Sequence, residues 1–163
     1  MSCWNFRPSI SVRPAFTDTC LNFASARLKE AAAESHLMRV CKSKEASPPL
    51  LLVEDGPLTL FSTKAALEDE GYRVVSARHG ASALDALAEP VCGLVTDIRL
   101  PGPVDGWDIA REARARWPDI PVLYVTGEGE EDWPEKGVPG SLILQKPYTA
   151  NTLLAAVHQV LPA

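Results

Sequence analysis

Of the four cysteines in this 163-residue chain, no two stand at C-x-x-C spacing, and the three histidines, His36, His79 and His158, are scattered. Neither a zinc site nor a thioredoxin-like redox motif is indicated. The amino terminus lacks the apolar run of about 7–15 residues that a secretory signal needs. No segment approaches the ~20 apolar residues of a membrane span. The chain is therefore expected to be cytoplasmic and to make no membrane contact. An excess of positive charge is missing too. The formal charge is −5, which argues against a general nucleic-acid binder.

The charge that is there is uneven. Residues 1–47 hold seven Lys/Arg and four Asp/Glu, a net +3, whereas residues 48–163 hold nine and seventeen, a net −8. The basic part carries Pro8 and Pro14, then a run of good helix formers from Ala24 to Ala33. Residues 20–40 could form a helix, although Leu21, Leu28 and Leu37 make no clean stripe. With little apolar surface to offset ordering entropy, residues 1–47 are read as an N-terminal extension, mobile or partly helical. A partner-binding or dimerising helix and an alternative start at Met38 stay open. Ser47-Pro48-Pro49 is a stiff linker and sets the boundary of a second region, 48–163. The overall 46% hydrophobic content can supply that region with a core.

From Leu50 onward short apolar runs alternate with helical stretches, the pattern of βαβ units around a parallel sheet. Strands are expected at 50–53, 72–77, 91–96, 120–125 and 142–145. Helices are expected from Pro57 to Gly71, over 81–89 before Pro90, from the capping Asp105 to Trp117-Pro118, and from the capping Thr149 onward. Gly127 to Gly140 breaks the rhythm with four glycines and two prolines, so only a short fourth helix near 130–133 is expected. Cys92 and the tryptophans Trp107, Trp117 and Trp133 are read as packing residues.

Polar residues cluster at the ends of the apolar runs. Glu54-Asp55 follow Val53, Asp97 ends the third run, Thr126 follows Val125, and Lys146 follows the fifth run after Gln145. In open α/β sheets ligands bind at the carboxyl ends of strands, so these side chains are expected to meet at one edge. Three carboxylates there repel one another, and a divalent cation relieves this. An oxygen-only donor set favours a hard ion such as Mg²⁺. Lys146 adds a point charge for a phosphate, and Thr126 a hydroxyl. Together these groups suit phosphoryl transfer onto Asp97.

The four pieces, Val53-Glu54-Asp55, Thr96-Asp97 with Pro101-Gly102, Thr126-Gly127 and Lys146-Pro147, are separated by 42, 29 and 20 residues from Asp55 to Asp97, Thr126 and Lys146. In this order and spacing, residues 50–161 resemble the receiver domain of bacterial two-component response regulators, of the stand-alone, single-domain type. The resemblance implies a doubly wound α/β fold, a five-stranded parallel sheet in the flavodoxin-like order 2-1-3-4-5. It implies that Asp97 accepts a phosphoryl group from a sensor histidine kinase or a histidine phosphotransfer protein. Mg²⁺ would be ligated by Asp55, Asp97 and the backbone carbonyl of Arg99, with Glu54 acting mainly through water. Lys146 and Thr126 would bind phosphoryl oxygens, and the Lys146–Pro147 bond would be cis. Output would pass by contact with an unknown downstream protein, not by enzymatic turnover, and both a monomer and a homodimer fit.

Two departures from the family stand out. Ile143 occupies the place of the usual aromatic switch residue, three positions before the lysine, and the fourth helix is shortened. Both features resemble a subset of stand-alone proteobacterial receivers. Arg99 and Glu128, each two residues beyond a site residue, are expected to overhang the phosphoryl site as a pair that restricts hydrolytic water. Three rivals remain. A phosphorylation-independent binding module is suggested by Ile143. A small Mg²⁺-dependent phosphohydrolase would use Asp97 as a turnover nucleophile, but Arg99 stands where such enzymes carry a second acid. A flavodoxin-like FMN module lacks its phosphate loop after the first strand.

Overall fold

Strand β1 (Leu50–Val53) is buried along its whole length. Successive side chains of a strand point to opposite faces, so an unbroken buried run needs cover on both sides, as helices provide around a parallel sheet. The computed structural model describes residues 47–128 and 130–161. After β1 come α1 (Pro57–Asp69), β2 (Val74–Ala77), α2 (Gly80–Ala86), β3 (Gly93–Asp97), α3 (Gly106–Arg116) and β4 (Val122–Thr126). A 3₁₀ turn (Glu130–Asp132), α4 (Trp133–Lys136), β5 (Leu142–Gln145) and α5 (Ala150–Val160) complete the order. All strand pairs are parallel, and the sheet order is β2-β1-β3-β4-β5. This is the expected doubly wound fold in the expected order. The helical reading of 20–40, and the proposed extension except Ser47, lie outside the described residues. Ser47 is buried, and its carbonyl accepts from Arg73 Nη1 at 2.8 Å.

The two layers divide β1 residue by residue. Leu51 and Val53 pack with Ala83 of α2 and with Ile109, Ala110 and Ala113 of α3. Leu50 and Leu52 pack with Leu67 of α1 and with Leu153 and Val157 of α5. Each Val, Leu or Ile among these contributes about 1.5–3 kcal/mol on burial. The sheet is therefore held from both sides, and its carboxyl edge is left for polar groups.

Several boundaries differ from expectation for local reasons. β2 starts at Val74, not Tyr72, because Tyr72 closes α1. Its N–H donates to Leu67 O at 3.1 Å, and Gly71 N–H donates to Glu68 O at 3.0 Å, with Gly71 at φ +97°. That is a Schellman closure, with Tyr72 and Leu67 in the same apolar layer. α2 ends at Ala86 because Ala88 N–H turns to Asp85 O and Glu89 N–H to Ala86 O, which tightens the last turn. β3 and β4 each begin later than expected and run one residue further, to Asp97 and Thr126. The short helix expected near 130–133 is a 3₁₀ turn followed by one α turn, with Pro134 in its first turn and Gly137 just past its end. Below it, Trp133 Nε1 donates to Ser141 Oγ at 3.1 Å, Val138 N–H to Tyr124 Oη at 3.3 Å and Arg114 Nη2 to Pro139 O at 2.9 Å. Trp107 is buried against Tyr124, with ring centroids 4.5 Å apart. Trp107, Trp117 and Trp133 all pack against the core, as expected.

Candidate functional site

The register of the ladder brings the site residues to one edge. Val53 is level with Thr96, Asp97 with Val125, and Thr126 with Gln145. Glu54 and Asp55 therefore emerge beside Asp97, and Lys146 follows Gln145 with its N–H donated to Thr126 O at 2.7 Å. Glu54 and Asp97 are buried and Asp55 is half-buried, and one carboxylate oxygen from each lies within 4.8 Å of the others. Lys146 Nζ sits 2.6 Å from Glu54 Oε2 and 2.6 Å from Asp97 Oδ2. The remaining oxygens are also engaged. Glu54 Oε1 accepts from Gly56 N–H at 3.2 Å, and Asp97 Oδ1 accepts from Arg99 N–H at 3.0 Å.

Burial pushes Glu54 above its ordinary carboxylate value, and the Lys146 ammonium only partly offsets this. Burial alone would lower Lys146, but Asp97 and Glu54 beside it hold it above its ordinary value. Both groups thus hold their protons more tightly, because the lysine faces two carboxylates, while buried Glu54 shares its one cation and also faces Asp97. Three carboxylates against one ammonium leave two negative charges in excess. That excess, on oxygen donors alone, fits a hard divalent cation.

Thr126 reaches the same edge, fully buried, but its hydroxyl serves its own turn. It donates to Glu128 O and accepts from Glu128 N–H at 3.0 Å. Arg99 puts its side chain outside the cluster, with Nε 3.7 Å from Glu128 Oε2. The expected Arg99–Glu128 pair is therefore present, at the surface. The Lys146–Pro147 bond is cis. Ile143 lies half-buried on β5 against the first layer.

Two features were missed at the level of sequence. A Cβ on Gly106 would fall 2.2 Å from Asp97 O, so the first residue of α3 must be glycine for the end of β3 to lie this close. Its signal was a glycine directly after the capping Asp105. The other is a hydrogen bond between Tyr148 Oη and Thr63 Oγ1 at 2.9 Å, for which the sequence holds no local signal.

Comparison with known proteins agrees with this fold. A family model described as the response regulator receiver domain matches residues 50–158. The response regulator receiver protein CpdR of Brucella abortus is 34% identical over 117 residues, 70% of this chain and 96% of its own length. A crystal structure of a response regulator receiver protein from Sinorhizobium medicae is 40% identical with a TM-score of 0.70, covering 74% of this chain and 98% of that one. The receiver domain of a sensor histidine kinase from Pseudomonas aeruginosa, solved with a magnesium ion coordinated in its active-site cleft, is 26% identical with a TM-score of 0.62. The match covers 72% of this chain and all of that one.

Proposed function

The chain belongs to the response regulator receiver domain family, and from that premise we propose that it is a phospho-accepting protein of a two-component phosphorelay. A sensor histidine kinase or a histidine phosphotransfer protein is the donor. One carboxylate oxygen of Asp97 attacks the phosphorus of the donor's phosphohistidine. A P–O bond forms, the P–N bond breaks with its electron pair going to the imidazole, and an acyl phosphate is left on Asp97. Glu54, Asp55, Asp97 and the Arg99 carbonyl would hold Mg²⁺, which supplies positive charge to the phosphoryl oxygens when bound. Lys146 turns from Glu54 to a phosphoryl oxygen, a short move for a flexible ammonium. Thr126 gives up Glu128 O and donates its hydroxyl to another. Positioning and charge neutralisation carry most of the catalysis, and output passes by contact with another protein. The region 48–163 acts as the receiver, with 1–47 as an extension.

The observation that supports this most is the Lys146 ammonium shared at 2.6 Å between Glu54 and Asp97 beside Asp55. The test is intact mass after incubation with acetyl phosphate, with and without Mg²⁺, on the wild type and on Asp97→Asn. A Mg²⁺-dependent gain of one phosphoryl group, absent in the variant, is expected. No gain from acetyl phosphate or from any kinase would favour the phosphorylation-independent module that Ile143 suggests.

A further inference from the structure

Lys146 is placed from two sides, only one of which is the sheet. Its N–H bonds Thr126 O at 2.7 Å, the last ladder contact of β5. The next residue, Pro147, has no N–H to donate, so the ladder stops there and the chain beyond must be fixed by something else. Two residues past the lysine, Tyr148 Oη and Thr63 Oγ1 hydrogen-bond at 2.9 Å. Thr63 is buried on α1, 3% exposed. The same helix begins just after Glu54, whose Oε1 takes the N–H of Gly56, the residue capping α1. One helix thus holds the carboxylate on one side of the Lys146 ammonium and the loop that delivers the lysine from the other.

We propose that Tyr148 and Thr63 are positioning residues, a tether from α1 to the β5–α5 loop that sets where the Lys146 ammonium lies relative to Asp97. Reactive geometries tolerate errors well below 1 Å. An ammonium on a four-carbon stem has the freedom to wander if its backbone is loose. The tether acts on the lysine and not on the three carboxylates, so it separates phosphoryl transfer from cation binding. It also separates from packing. The Tyr148 ring belongs to the layer of Leu67 and Leu153, and phenylalanine keeps that burial. A lone Thr63 hydroxyl can turn to a carbonyl of its own helix.

The inference rests on the proposed phosphoryl transfer, and two measurements on the full chain keep the two apart. The first is the rate of phosphorylation by acetyl phosphate at saturating Mg²⁺, followed by intact mass, with Mg²⁺ affinity measured by calorimetry. Tyr148→Phe and Thr63→Val are expected to react about fivefold more slowly than wild type, a sub-ångström misplacement rather than loss of the group. Their Mg²⁺ affinity should stay within about twofold of wild type, and Thr63→Ser, which keeps the hydroxyl, should react at the wild-type rate. Wild-type rates in either Tyr148→Phe or Thr63→Val, a slow Thr63→Ser, or a rate loss matched by lost Mg²⁺ affinity would each overturn the tether. The second is the NMR signal of the Lys146 ammonium in unphosphorylated protein, which is expected to exchange faster with water in Tyr148→Phe. An unchanged signal overturns the tether whether or not the wild type is phosphorylated. Failure of the wild type to accept phosphate counts against the proposed function alone.

Discussion

At the scale of the residue, Lys146 is the only cation that bonds Glu54 and Asp97 among the described residues. Removing one preorganised donor from a reacting centre costs about 10²–10³ in rate. Lys146→Met should therefore slow phosphorylation of Asp97 by about 10²-fold or more, with Mg²⁺ affinity kept or raised because every oxygen ligand remains. A time course of intact mass beside a Mg²⁺ titration checks both halves, and a near-wild-type rate would refute the role. Arg99 and Glu128 are a different case. Their side chains are 71% and 79% exposed, and so open a pair contributes little to stability. Arg99→Ala and Glu128→Ala are expected to leave the thermal midpoint in place and to shorten the lifetime of the acyl phosphate. If purified phosphoprotein decays no faster in either variant, the pair does not shield the site.

At the scale of the element, the start of α3 matters most, because it lies against the end of β3 that carries Asp97. Asp105 accepts from Asp108 N–H at 2.9 Å, and Asp108 Oδ2 accepts from Asp105 N–H at 3.3 Å, a reciprocal capping box. Asp105→Ala should cost about 1 kcal/mol in urea unfolding. The Asp105 N–H, with Arg111, holds Asp108 below its ordinary 3.8. A depressed carboxyl binds its proton less readily when folded than when unfolded. Its contribution is thus present above pH 3.8 and is lost as pH falls through the folded value. Gly106 yields a prediction of unusual sign. Alanine normally gains about 1 kcal/mol over glycine inside a helix. Here its Cβ would meet Asp97 O at 2.2 Å, so Gly106→Ala should destabilise by roughly 1–3 kcal/mol. It should also slow the proposed phosphorylation, since relief of the clash moves the Asp97 backbone. A urea midpoint at or above wild type would show that the strand yields freely.

At the scale of the whole molecule, a cation bound at the acidic edge would couple to the stability of the fold. A ligand bound only by the folded state stabilises by mass action, about 2.7 kcal/mol at a concentration 100 times its dissociation constant. Mg²⁺ is expected to raise the thermal midpoint, and Asp55→Asn to reduce that rise. The pH dependence has a definite sign. Burial raises Glu54 above 4.5, so the folded state holds this proton more tightly than the unfolded state does. That contribution is present below pH 4.5 and is lost as pH rises through the folded value, which leaves ionised Glu54 a cost at neutrality. The Mg²⁺-induced shift should therefore be large near pH 7 and shrink on acidification, as protons compete for the same oxygens. A shift that grows as pH falls would contradict this assignment of charge.

The sequence by itself determined the elements and their order. β1 and β5 were legible to the residue, because apolar runs, caps and helix stops are carried by neighbours in the chain. It also determined which residues reach the edge, since each follows an apolar run and a parallel sheet aligns those ends. The tertiary structure alone decided what these residues touch. Tyr72 spends its N–H closing α1 and does not extend β2. Thr126 holds Glu128 rather than any group of the acidic cluster. Lys146 lies between two carboxylates 92 and 49 residues away, and Tyr148 meets Thr63 across 85 residues. Such contacts depend on distances between segments that only packing brings together, and no local pattern of residue types contains those distances.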